Sequence, residues 1–258
     1  MQKVTHSEYI AQKKPLAKQL LAKLNEKYQY ASVLITDNYE KGYRASRSGV
    51  AISATNAFGG KGMIVKVYDG KGYAEYSTNE ITAENLPEIE REIEQQLMNP
   101  ANFIPEGTEE AEYKCISDEP YTLCEATDDE IHPRKVGDEK LIETVTALRE
   151  KAVKADERIL DAITGFNYQE YHKLFLSANR ELEQSVLYST GIMALVAAKG
   201  EEIKQSFRGF SNLGGAELLD KMESAIPQCV KTVTDLLNAE PMEPVSYTHL
   251  TLPTTPYV

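Results

Sequence analysis

Cys115, Cys124 and His132 stand in the middle of this chain, with Asp128, Asp129 and Glu130 among them. Thiolate, imidazole and carboxylate are the groups that hold zinc. Structural zinc sites take their ligands from tight pairs, whereas the intervals here are Cys-x8-Cys-x7-His. That spacing does not match, and the segment reads as a solvated acidic loop. His6 and His172 are isolated in the sequence, and His172 falls at the start of a predicted strand, where an imidazole packs or points to water. There is no Gly-x-Ser-x-Gly elbow, no His-Glu-x-x-His helix and no Cys/His pair that the spacing brings together. No residue is therefore assigned a catalytic or metal-binding role, and the binding residues stay unknown.

Two glycine-rich stretches invite a phosphate reading. Gly59, Gly60 and Gly62 in "FGGKG" lack the Gly-Lys-Ser/Thr spacing and the following helix of a phosphate loop, so a hairpin turn is expected. "GFSNLGG" (209–215) does precede a helix, where free amides attract anions. An ordinary loop entering a helix is the simpler reading. Tyr68, Tyr73 and Tyr76 gather on one hairpin in a chain with 15 tyrosines and no tryptophan. They read either as a contact surface for a peptide or as half-buried cross-strand pairs.

The elements that position these residues follow from periodicity. Leu16, Leu20, Leu21 and Leu24 mark a helix over about 8–27, with Pro15 near a kink or an early turn. "YASVLIT" (30–36), "GVAISA" (49–54), "GMIVKVYDG" (62–70) and "GYAEYSTN" (72–79) are short strands, and Asp69-Gly70-Lys71-Gly72 signals a hairpin. Leu86, Ile89, Ile93 and Leu97 mark a helix over 83–99. Residues 101–137 form an acidic connecting segment with one strand near Tyr113–Ile116. The order then repeats. A helix over 138–156 carries Leu141, Val145, Leu148 and Ala152. Strands follow at 172–178, 184–190, 191–200 and 201–210, and a helix with a break at Pro227 closes the series. The expected fold class is α+β, with two helix–antiparallel meander–helix modules, residues 1–100 and 138–244. Duplication and convergent layering both explain the repeated order.

The chain of 258 residues is long enough for a sizeable core, and 41% of it is hydrophobic. Its net charge of -12 argues against nucleic-acid binding through a general basic surface. No apolar run approaches a membrane span, and the N-terminus lacks the pattern of a signal peptide. Three cysteines make no disulfide framework and fit a reducing, cytoplasmic setting.

The order of motifs resembles a known family. "YASVLITDNYEKGYRASRSGVAISATNAFGGKGMIVKVYDGKGYAEYSTNEITAENL" is similar to the N-terminal region of the TldD/PmbA family, the modulators of DNA gyrase. The matching segments are Gly62–Val67 and Gly72–Asn79. "ERILDAITGFNYQEYHKLFLSANRELEQSVLYSTGIMALVAAKGEEIKQSFRGFSNLGG" resembles the next stretch of the same proteins, so the similarity covers nearly all of residues 1–244. The resemblance implies the non-catalytic, N-terminal portion of a zinc metallopeptidase that acts on peptides, working as a homodimer or as a heterodimer with a homologous member. The alternative it leaves is a PmbA-like partner subunit that binds without cutting. The family's His-Glu-x-x-x-His motif does not occur here, so the zinc expected in the full-length protein has no ligand in this chain.

The last residues differ from everything before them. "VSYTHLTLPTT" read into codons follows a transposase mosaic end and sequencing adapter. Residues 245–258 are therefore expected to be a translated adapter tail without packed structure, which makes the chain a truncated fragment.

Overall fold

The structure is a computed structural model that describes residues 2–54, 60–98 and 113–240. Gly59, residues 101–112 of the acidic connection and the 245–258 tail lie outside the described residues.

Helix α1 (Glu8–Lys27) starts where Ser7 accepts a hydrogen bond from the Ile10 N–H, at 3.1 Å. Its buried stripe is Ile10, Ala17, Leu20, Leu21 and Leu24. The helix continues through Pro15. The proline removes one donor, the N–H that would meet the Ala11 carbonyl, and the packed stripe holds the helix together across that gap.

Ten strands and five helices form among the described residues. β1 is Gln2–Lys3, β2 Tyr30–Ser46, β3 Gly49–Ala54, β4 Gly60–Tyr68 and β5 Tyr73–Thr78. Helix α2 spans Leu86–Met98. After the connection come β6 (Tyr121–Ala126), β7 (Asp128–Asp129), α3 (Pro133–Val136) and α4 (Asp138–Lys154). Then follow β8 (Ile159–Ser177), β9 (Arg180–Lys199), β10 (Glu202–Asn212) and α5 (Leu218–Leu237). The class is α+β.

Both modules share one eight-stranded sheet, ordered β10-β9-β8-β2-β4-β5, with β3 on β2 and β6 on β9. The seam is β2 against β8, antiparallel from Ser32↔Ser177 to Ala45↔Thr164. Each long strand therefore serves two cores. Ala31, Val33 and Ile35 of β2 join Leu174 and Leu176 of β8 beneath α1 and α2. Tyr43 and Ala45 join Ala162, Phe166 and Tyr168 beneath α4 and α5. These are odd positions of β2 and even positions of β8, so both cores lie on one face of the sheet. The other face is open, with Ile192, Ile203 and Phe207 exposed.

Five sequence expectations need correction. The strand placed at 113–116 lies at Tyr121–Ala126 and pairs in parallel with Arg180–Ser185. β2 continues ten residues beyond Thr36, and β8 begins at Ile159 rather than at His172. The strands split at Thr190/Gly191 are one strand, because Gly191 makes no turn. A Cβ there would strike the Met222 side chain of α5, so the glycine lets helix and sheet approach. The break set at Pro227 is absent too, since α5 runs through it on nine buried residues, among them Met222, Ile226 and Val230. The Asp69–Gly72 hairpin forms as read, with Gly70 at φ 104 and the Asp69 carboxylate taking the Lys71 and Gly72 amides at 2.8 and 2.9 Å.

Candidate functional site

The inward face of β2 reads Ala31, Val33, Ile35, Asp37, Tyr39, Lys41, Tyr43, Ala45. The inward face of β8 reads Phe166, Tyr168, Glu170, His172, Leu174, Leu176. Both are apolar at the ends and polar in the middle. The register stacks the polar parts, Asp37 beside His172 and Tyr39 beside Glu170. The result is a polar cavity of about 510 Å³ between the two cores. The N-terminus of α1 and the turn before α3 close it, so His6, His132 and His172 all line its wall.

Glu170 is the centre of the cluster and is only 5% exposed. Its Oε1 lies 2.7 Å from Arg134 Nε and 3.7 Å from His132 Nε2, without a well-aligned hydrogen bond. Its Oε2 lies 3.6 Å from His172 Nε2. The Arg134 guanidinium stacks 4.0 Å from the Tyr39 ring centre, which fixes its plane. The Ser185 hydroxyl joins two imidazoles, 2.9 Å from His172 Nδ1 and 3.0 Å from His6 Nδ1. On the opposite wall Ser7 donates to Asp37 at 2.6 Å, and Lys61 lies 3.5 Å from the same carboxylate. Tyr9 leans in with a buried hydroxyl that has no partner. Burial and then the Asp37 charge push its phenol above the ordinary value. Burial also raises the neighbouring Tyr168, reinforced by its hydrogen bond to Tyr39.

This cluster does not fit zinc. The His132 Nδ1 accepts the Arg134 N–H at 3.3 Å, so in the neutral ring the proton sits on Nε2, the atom facing Glu170. Arg134 already covers the same carboxylate. Among the described residues no three His, Cys, Asp or Glu side chains are arranged to hold a metal ion. What the cluster can do is bind polar groups and relay a proton between His172 and His6 through Ser185.

The other singled-out residues have clear places. His172 is a buried strand residue, and neither it nor His6 is isolated, since both meet Ser185. His132 caps α3. Cys115 is exposed, and Cys124 is exposed with Sγ 3.7 Å from His6 Nε2, a Cys/His pair that spacing did not reveal. Asp129 is buried, while Asp128 and Glu130 face solvent. The anion-site reading of 209–215 is answered from within the chain. Glu217 accepts the Gly215 N–H and the Asn212 side-chain amide, both at 2.7 Å, and fills that position with its own carboxylate. Tyr68 and Tyr73 hold the chain's own backbone, donating to Tyr113 O at 2.7 Å and Lys114 O at 2.8 Å. Tyr76 packs against the first core. A run of polar residues in phase on two strand faces was the sequence signal for the cavity, hidden because both strands were read too short.

No family model matches this chain, and no curated relative matches it. Solved structures do. A protein designated a modulator of DNA gyrase from Bacteroides thetaiotaomicron is 16% identical, with a TM-score of 0.65 over 89% of this chain and 51% of that one. The fold is that of the modulators of DNA gyrase. A second such protein, from Thermotoga maritima, is 13% identical with a TM-score of 0.67, over 89% of this chain and 49% of that one. TldE from Thermococcus kodakarensis is 14% identical with a TM-score of 0.61, over 85% of this chain and 47% of that one. The chain thus spans about half the length of the structures it matches. The TldD/PmbA resemblance drawn from the sequence holds at the level of fold.

Proposed function

We propose that this chain is the N-terminal, non-catalytic portion of a TldD-like zinc metallopeptidase that degrades or processes peptides. The observation that carries this reading is the fold match to about half of each modulator structure, with nearly all of this chain used. The portion walls off the active site and helps to build a dimer. Its open sheet face, with Phe207 78% and Ile203 64% exposed, supports an assembly role, since large apolar side chains grouped on one face mark contact surfaces. Zinc would be held outside residues 1–240, whose polar cavity does not suit it. Cytoplasmic placement is part of the proposal. Its supports are three free cysteines and, among the described residues, no helix long and apolar enough to cross a membrane.

A second reading is a PmbA-like partner subunit that binds and does not cut, supported by the match to TldE. Both readings expect the purified chain to leave a fluorogenic peptide intact and to bind no stoichiometric zinc in a calorimetric titration. Tight one-to-one zinc binding with peptide hydrolysis would overturn both.

A further inference from the structure

Two reactive side chains far apart in sequence meet at the edge of the sheet. β1 pairs with β7 through Gln2↔Asp129 and Lys3↔Asp128, and the Val4 N–H donates to Thr127 O at 3.0 Å. Continued by two residues, this antiparallel run brings His6 alongside Glu125 and so within reach of Cys124. The His6 Nε2 lies 3.7 Å from Cys124 Sγ. On the other edge of β6, parallel pairing sets Cys124 beside Glu183. The Glu183 carboxylate lies 3.5 Å from His6 Nδ1, and Lys14 holds its other oxygen at 2.9 Å. Ser185 adds its hydroxyl 3.0 Å from the same Nδ1. A carboxylate and a hydroxyl thus favour the proton on Nδ1 and leave the Nε2 lone pair facing the thiol. This is the arrangement of a nucleophile with an oriented base.

We propose that Cys124 is a reactive thiol, with His6 as its base, that forms mixed disulfides with small polar disulfides. The Cys124 S–H proton passes to His6 Nε2. The thiolate attacks one sulfur of the disulfide; a new S–S bond forms and the old one breaks. The departing thiolate takes the proton back from His6. The disulfide is the only co-reactant required. Cys124 is exposed, so the attack is open to solvent. His6 also lines the cavity in which Glu170 Oε1 and the Tyr9 hydroxyl are buried without aligned partners, a polar recess for the charged arms of such a molecule.

The chain contains its own references. Cys115 is also exposed but, among the described residues, has no histidine partner, its Sγ lying 3.7 Å from the Ile116 carbonyl. Cys229 is buried, and burial pushes its thiol up. The test exposes the unmutated chain to oxidised glutathione at pH 7 and follows each cysteine by peptide mapping. Cys124 is expected to be thiolated about tenfold faster than Cys115, as a base-paired thiol should be. His6→Asn should bring Cys124 down to the rate of Cys115. Iodoacetamide alkylation at pH 7 supplies a second reading without any variant, with Cys124 alkylated faster than Cys115. Equal rates for the two cysteines in the unmutated chain would overturn the proposal, and so would a His6→Asn chain in which Cys124 stays fast. None of these readouts depends on peptidase activity.

Discussion

Phe166→Ala is expected to destabilise the folded chain by about 3–5 kcal/mol, as loss of a fully buried aromatic side chain does. Phe166 is 0% exposed and sits on the inward face of β8, its ring centre 6.4 Å from that of Tyr168. The core it belongs to also draws on Tyr43 of β2, Leu195 of β9 and Met222 of α5. A cavity there cannot be closed by moving one side chain, because β8 is hydrogen-bonded on both edges, to β2 and to β9. Urea denaturation of the two chains measures the difference. A loss under about 1 kcal/mol would place Phe166 outside the core and would contradict the seam between β2 and β8.

Glu217→Ala is expected to cost about 2–3 kcal/mol, although Glu217 lies in a loop and is only partly buried. Its carboxylate accepts from Gly215 N and Asn212 Nδ2, both at 2.7 Å, and from Ile131 N at 3.3 Å. It therefore ties the entry of α5 to the segment ahead of α3. Removing it leaves three donors to find water in a tight loop. Glu217→Gln should recover part of the loss, because the amide oxygen still accepts but carries no charge. Thermal melts of the three chains check this order. A Glu217→Ala chain as stable as the parent would mean that the loop does not depend on its internal carboxylate.

Much of the architecture was legible in residue spacing. α1 was read to its ends because Leu16, Leu20, Leu21 and Leu24 recur at helical intervals. β3 was read whole from "GVAISA", and the β4–β5 turn from Asp69-Gly70. The long strands were not legible in full, for a physical reason. β2 passes Asp37, Asn38, Glu40 and Lys41 in mid-strand, and β8 passes Asp161, Gly165 and Asn167, all residue types depleted in strands, with Asp, Asn and Gly favouring turns. They are tolerated here because neighbouring strands pair them, and because Asp37 faces the cavity while Asn38, Glu40, Gly165 and Asn167 lie on the open face of the sheet. Gly191 misled in the same way, since packing against Met222 and not chain reversal demands a glycine there. The cavity itself depends on contacts between residues 6, 132, 170, 172 and 185, and a local window cannot see a cluster assembled across the β8–β9 register. The Cys124–His6 pair, separated by 118 positions, was invisible for the same reason.

The most direct measurement is to sequence the source DNA beyond the codon for Pro244. If the chain is the N-terminal portion of a TldD-like metallopeptidase, the frame continues as a second half of similar length and encodes His-Glu-x-x-x-His on a helical stretch. Two histidines on one helical face with a glutamate between them supply metal ligands and a base for water. A similar second half without those ligands would favour the binding partner. A frame that runs through the codons for residues 245–258 in independent reads and then stops would contradict the proposal, and would turn attention to the Glu170 cavity and the Cys124–His6 pair.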